Sequence, residues 1–196
     1  AETLKSENWN ISEAVDGFVT IIRIATADDL EKALENAKAG DTITIAGDIT
    51  LTENVTIPAG VTFNGNGKQI NGTLIAGGDI AFAGHTKVTA FSAGFSGYEI
   101  TIGEGACLEI TGGGRSTMGY NNTFNITGTI TDAETADKAN IQPSLIMPAG
   151  ISITGGNGLE LNIKDAYVQI GSTTSKNKAA NGTFTINIEN SIAEFT

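Results

Sequence analysis

The chain has 196 residues, 40% of them apolar and 6% aromatic, enough for one domain cored by Val, Ile, Leu and Ala. Lys and Arg number 11 against 22 Asp and Glu, and the resulting charge of -11 disfavours nucleic acid and anionic membrane surfaces as partners. The most apolar stretch, GFVTIIRIA at 17–25, is too short to cross a bilayer and is interrupted by Arg23, so no membrane span is expected.

In chain order, the first residues AETLKSENWN carry neither a basic n-region nor an apolar h-region. Ala1 followed by Glu2 suits a mature chain after signal-peptide removal, so an extracellular or cell-surface location is expected. The N-terminal segment 1–25 ends in an entry strand, Phe18 to Ile24, read from its β-branched alternation. A capping helix follows over 26–40. Thr26 caps it with Asp29 three residues on, Leu30, Ala33, Leu34 and Ala37 form one apolar stripe, and Gly40 stands at the stop.

From Asp41 to 196 the chain is short alternating strands punctuated by Gly, Asn and Asp. Three stretches, 53–63, 98–108 and 143–153, superpose without a gap at a spacing of 45 residues. Ile57, Ile102 and Met147 fall in register, as do Gly60, Gly105 and Gly150, then Phe63, Leu108 and Ile153. Each copy reads as strand, Gly turn, strand, a unit that buries its apolar face only by stacking on neighbours. Strands this short imply two coils of about 22 residues per repeat, and about seven coils in all. Val61, Leu108 and Ile153 are expected to point into a shared interior. Two polar stretches, 131–143 and 171–182, are expected to leave one side of the rod as loops.

Residues 27–73, from the helix through GDTITI and DITLTENVTIPAGVTF to NGNGKQING, resemble the N-terminal cap and first coils of right-handed parallel β-helix proteins of the pectate-lyase-like superfamily. More narrowly, they are similar to modules of secreted and wall-attached bacterial surface proteins. The resemblance implies an all-β, right-handed single-stranded parallel β-helix (solenoid) with an N-terminal capping α-helix, in an extracellular bacterial protein.

Groups that could carry chemistry are sparse. A polysaccharide lyase needs a cationic base and carboxylates that hold Ca2+ beside the substrate acid group. Arg115, in TGGGRSTMGY, and Lys87 are the cations on offer. A glycosidase needs two carboxylates facing each other about 5 to 10 Å apart. Asp132, Glu134 and Asp137 cluster in one loop, where a solvated turn competes with a weak Ca2+ site, the only cofactor the sequence suggests. His85, the single histidine, is expected at the surface, and Cys107, the single cysteine, as an outward, partly accessible thiol. Exposed aromatics are the usual sugar platforms, and Trp9, Tyr98, Tyr120 and Tyr167 qualify. Tyr120 with Asn121, Asn122 and nearby Arg115 is the preferred glycan-binding candidate.

A non-catalytic extracellular module for adhesion, glycan contact or spacing is therefore expected, with a polysaccharide lyase or glycosidase as the alternative. The sequence closes on SIAEFT without a recognisable cap, which leaves a longer parent chain or a head-to-tail homopolymer as expectations.

Overall fold

The computed structural model describes residues 10–11, 21–94, 96–112, 116, 118–119, 121–147, 158–171 and 184–195. Two short strands, β1 (Asn10–Ile11) and β2 (Ile21–Ile22), form an antiparallel pair. Helix α1 (Ala27–Asn36) follows. Thr26 caps it as the spacing predicts: its hydroxyl oxygen accepts from the Asp29 N–H at 3.2 Å and donates to the Asp29 carboxylate at 2.7 Å. Leu30, Ala33 and Leu34 are buried and join the same core as the strands, so α1 closes the first coil.

All the following described strands pair in parallel and are divided between two sheets. Sheet 1 stacks β3 (Thr42–Thr44), β6 (Thr62–Asn64), β8 (Ile80–Ala83), β10 (Glu99–Ile102), β12 (Thr123–Thr127), β14 (Leu159–Lys164) and β16 (Phe184–Glu189). Sheet 2 places β4 (Ile49–Thr50) and β5 (Val55–Ile57) on β7 (Gln69–Ala76). It continues through β9 (His85–Ser92), β11 (Cys107–Ile110), β13 (Leu145–Met147), β15 (Tyr167–Ile170) and β17 (Ile192–Phe195). The chain is a parallel β-solenoid, each coil giving one rung to each sheet.

Alternation sends one side chain in two into the space between the sheets. One interior column runs Phe63, Phe82, Ile102, Ile126, Ile163 and another runs Ile80, Ile100, Phe124, Leu161. All of these are buried. Phe82 sits edge-on to Phe63, with ring centroids 6.4 Å apart, and to Phe91 at 5.3 Å, so aromatic rings from both sheets interlock. Val61 and Leu108 are in this core as expected; Ile153 lies outside the described residues.

The 45-residue repeat is not the structural repeat. Phe63 stacks on Phe82 within sheet 1, whereas Leu108 lies in sheet 2 between Thr86 and Leu145. Likewise Ile57 and Met147 belong to sheet 2 and Ile102 to sheet 1. A 45-residue step thus carries the chain to the opposite sheet. The copies look alike because both corners make one local demand: a strand, a left-handed glycine, a strand. Gly60 has φ 76° and Gly105 φ 72°. At Gly60 a Cβ would also lie 2.6 Å from the Ala39 Cβ, so only glycine fits. True register steps vary, being 21 residues between Thr50 and Asn71, 22 between His85 and Cys107, and 37 between Asn125 and Asn162. The stretch 128–144 joins sheet 1 to sheet 2, and the second expected loop, from residue 172 on, lies outside the described residues.

Candidate functional site

Sheet 1 turns a polar face outward. Thr62, Ala81, Thr101, Asn125, Asn162 and Asn187 form one column in register. The three asparagines are linked along the stack. The Asn187 amide donates to Asn162 at 2.8 Å, Asn162 donates to Asn125 at 2.9 Å, and Asn125 donates to the Glu99 carboxylate at 2.6 Å. Beside it runs the column Glu99, Thr123, Glu160, Thr185. Glu160 accepts the second Asn187 N–H at 2.9 Å. Among the described residues Asn162 spends one N–H on Asn125 and one lone pair on Asn187, which leaves a second donor and a second acceptor for a ligand hydroxyl. No single motif marks these residues; only the register brings them together.

The outer face of sheet 2 is covered over part of its length by the 128–144 excursion, which lies on it as a strap. Gly128 and Ile130 donate their N–H groups to the Lys164 and Asp165 carbonyls at 3.0 and 2.7 Å. Asn190 donates to the Ile130 carbonyl at 3.1 Å. At the far end, Lys138 pairs with Glu194 at 2.6 Å, and Tyr167 donates to the same carboxylate at 2.6 Å. The hydrogen bonds from Lys138 and then Tyr167 pull the Glu194 carboxyl down to about 2, and the hydrogen bond to Glu194, then its charge, raises Lys138.

Cys107 lies beneath this strap. It alternates with the core residues Ala106 and Leu108 and so points away from the interior, yet it is fully buried. The expectation of an accessible thiol fails because alternation fixes which face a residue takes, not what covers that face. Burial first, then the Glu109 charge, pushes the thiol up to about 12, with the Gln142 side chain on the strap a hydrogen-bond partner that opposes the shift. His85 is the in-register neighbour of Cys107. Its imidazole instead meets Glu109 at 2.7 Å, with both side chains 27% exposed. A neutral, buried thiol beside an imidazole held by a carboxylate is not an activated nucleophile. A cleft of about 200 Å³ opens beside it, lined by Gly105, Thr129, Ile141, Gln142, Ser144 and Tyr167.

Of the preferred glycan-binding residues, Tyr120 and Arg115 lie outside the described residues, as does Trp9. Asn121 is exposed at a left-handed corner with φ 58°. Asn122 is fully buried and committed to the fold. It accepts from the Tyr98 N–H at 2.8 Å and donates to the carbonyls of Met118 at 2.7 Å, Gly94 at 3.1 Å and Ala93 at 3.3 Å. Tyr98 packs against the core and Tyr167 is 5% exposed, so neither is a free platform.

The loop acids serve their own turns. Asp132 accepts from the Glu134 N–H at 3.0 Å and from the Thr135 hydroxyl at 2.8 Å, the latter bond chiefly lowering its pKa. Asp137 caps a short 3-10 turn at Lys138–Asn140. Among the described residues, no three His, Cys, Asp or Glu side chains converge as metal ligands. Lys87 has Gln69 and Glu109 as its register neighbours. Among the described residues no helix is long and apolar enough to cross a membrane.

Comparison of the chain with protein families, with curated proteins and with solved structures returns no match.

Proposed function

We propose that this chain is a non-catalytic β-solenoid module of an extracellular or cell-surface protein, presenting a rigid face for adhesion and glycan contact and spacing what it carries. The observation that carries this reading is the amide ladder Asn125, Asn162, Asn187, flanked by Glu99 and Glu160. Amides and carboxylates held at strand spacing can bond the hydroxyls of an extended sugar chain, and the stacked backbone fixes them before the ligand arrives. The likeness of residues 27–73 to caps of pectate-lyase-like β-helices and bacterial surface modules supports the same setting. A glycan array probed with the wild-type chain and with Asn162→Ala tests it. Binding lost in the variant is expected; a wild-type chain that binds no glycan refutes glycan contact.

One observation favours the alternative of a glycosidase or polysaccharide lyase. Glu99 and Glu160 occupy one outer column two strands apart, on the order of 9.6 Å, at the wide limit for an inverting carboxylate pair. Against it, each carboxylate already accepts from a ladder amide. Hydrolysis of a glycan by the wild type and not by Glu160→Gln would establish the enzyme, and unsaturated products from polyuronates with Ca2+ would establish the lyase.

A further inference from the structure

Four polar side chains are buried among the described residues: Thr86, Ser116, Asn122 and Ser144. Three of them are spent on the backbone. The Thr86 hydroxyl accepts from the Gly65 N–H at 3.0 Å, the Ser116 hydroxyl accepts from the Phe91 N–H at 3.2 Å, and Asn122 bonds the backbone around its corner. Ser144 differs. It is 4% exposed, and its hydroxyl has no hydrogen-bond partner among the described residues. No side-chain N or O atom sealed inside the described chain lacks a partner, so this hydroxyl opens on a space.

That space is the cleft of about 200 Å³ between the strap and sheet 2. Its floor is set by register. Leu145 pairs with the core residues Leu108 and Val168, so Ser144, one residue earlier, stands on the outer face between Cys107 and Tyr167. The backbones follow the same row: the Leu108 N–H donates to the Ser144 carbonyl at 3.0 Å, and the Ser144 N–H to the Tyr167 carbonyl at 2.7 Å. The strap supplies the other wall through Thr129, Ile141 and Gln142. It is tied down on both sides, by the Ile130 N–H on Asp165 and by Lys138 on Glu194. At Gly105, which also lines the cleft, a Cβ would meet nothing within 4 Å.

We propose that this cleft binds a single neutral sugar ring, with the Ser144 hydroxyl as its anchor. Size, charge and wall chemistry each narrow the ligand. Drug-sized ligands occupy roughly 300–1,000 Å³, so a cleft of about 200 Å³ takes one ring and not a chain. Among the described residues no charged side chain lines it, and the nearby Lys138 and Glu194 are paired with each other. An ionised group would therefore be desolvated without a partner, which excludes uronates and protonated amino sugars. A neutral pyranose carries hydroxyls around its rim and C–H groups on its faces. Ser144, Thr129 and Gln142 offer donors and acceptors to the hydroxyls, while Tyr167 and Ile141 offer apolar surface to the C–H groups. Because the strap is anchored at both ends, the walls stand before the ligand arrives, and less ordering is needed on binding. The cleft lies on the opposite sheet from the amide ladder and is tested independently of it.

Titration of the isotope-labelled chain with the methyl glycosides of glucose, galactose and mannose, followed by amide NMR correlation spectra, tests the site. Saturable shifts are expected with at least one glycoside at the Gly105, Thr129 and Ser144 amides and the Gln142 side chain. Glucuronate and glucosamine are expected to leave them in place. Ser144→Ala removes the anchor without filling the cleft and is expected to weaken binding roughly tenfold, the worth of one buried hydrogen bond. No saturable shift from any of the three glycosides, equal binding of glucuronate, or unchanged affinity in Ser144→Ala would each overturn the proposal. If Ser144→Ala fails to fold, Thr129→Ala on the exposed wall carries the same test, and undiminished affinity there counts against the site. Cys107 gives a second reading from under the same strap: saturating glycoside is expected to slow its modification by thiol reagents, and an unchanged rate would contradict a sugar held there.

Discussion

Truncating Phe82 to Ala would remove the ring that locks the two sheets together. Phe82 is 2% exposed and lies edge-on between Phe63 of its own sheet and Phe91 of the other. Core Phe→Ala changes cost about 3–5 kcal/mol, and two edge-to-face partners place this one near the top, at about 5 kcal/mol. Coils contact only their neighbours, so little elsewhere in the stack can compensate. Phe82→Leu keeps most of the volume and should cost no more than about 1.5 kcal/mol. Equilibrium urea unfolding followed by far-UV circular dichroism reads both. With a slope of about 3 kcal/mol per molar, the Ala variant should lower the midpoint by about 1.7 M. A loss below about 1 kcal/mol would show that the ring is not enclosed between two sheets, and equal losses for Ala and Leu would show that its volume is not what matters.

Asn122→Ala should destabilise the chain by about 2–3 kcal/mol in the same assay, because it leaves the Tyr98 N–H and the Met118 carbonyl without their partner in a buried corner. Cys107 should resist thiol reagents in the native chain at mildly alkaline pH and react at once in denaturant, whereas Glu194→Gln, which breaks the Lys138 clasp on the strap, should raise the native rate. Since the folded thiol titrates at about 12 against an ordinary 9.0, its share of stability is complete below pH 9 and is lost as pH climbs toward 12; Cys107→Ala should flatten that part of the pH profile. Glu194, held at about 2 against an ordinary 4.5, works with the opposite sign: its contribution is present above 4.5 and fades as pH falls toward 2, so acid should loosen the strap in the wild type and have less effect on Glu194→Gln.

The helix and its cap were legible in the sequence because their determinants are local. Thr26, Asp29 and the Leu30, Ala33, Leu34 stripe sit within three turns of chain and act on one another directly. Stacking was legible for a similar reason, since strand, corner glycine and strand is a motif of about ten residues. The period was not. The two corners of a flattened coil ask for the same local sequence, so a match between opposite corners is indistinguishable from a match between equivalent ones. Insertions such as 128–144 then change the coil length without disturbing the strands on either side. What stayed hidden in the site depends on register across 22, 25 or 37 residues. The line of Asn125, Asn162 and Asn187, and the strap over Cys107, exist only once the coils are stacked. Asn122 shows the same limit at one residue: its neighbours in sequence suggest an exposed polar turn, while its partners at Ala93, Gly94 and Tyr98 lie a full coil away.

Inter-strand nuclear Overhauser contacts in the isotope-labelled chain probe the stacking itself. Backbone contacts should link Phe63 to Phe82, Phe82 to Ile102, Ile102 to Ile126 and Ile126 to Ile163, all in the parallel pattern. Close Hα–Hα contacts of antiparallel neighbours along that column, or Phe63 found beside Leu108, would contradict a solenoid of two parallel sheets around one aliphatic interior.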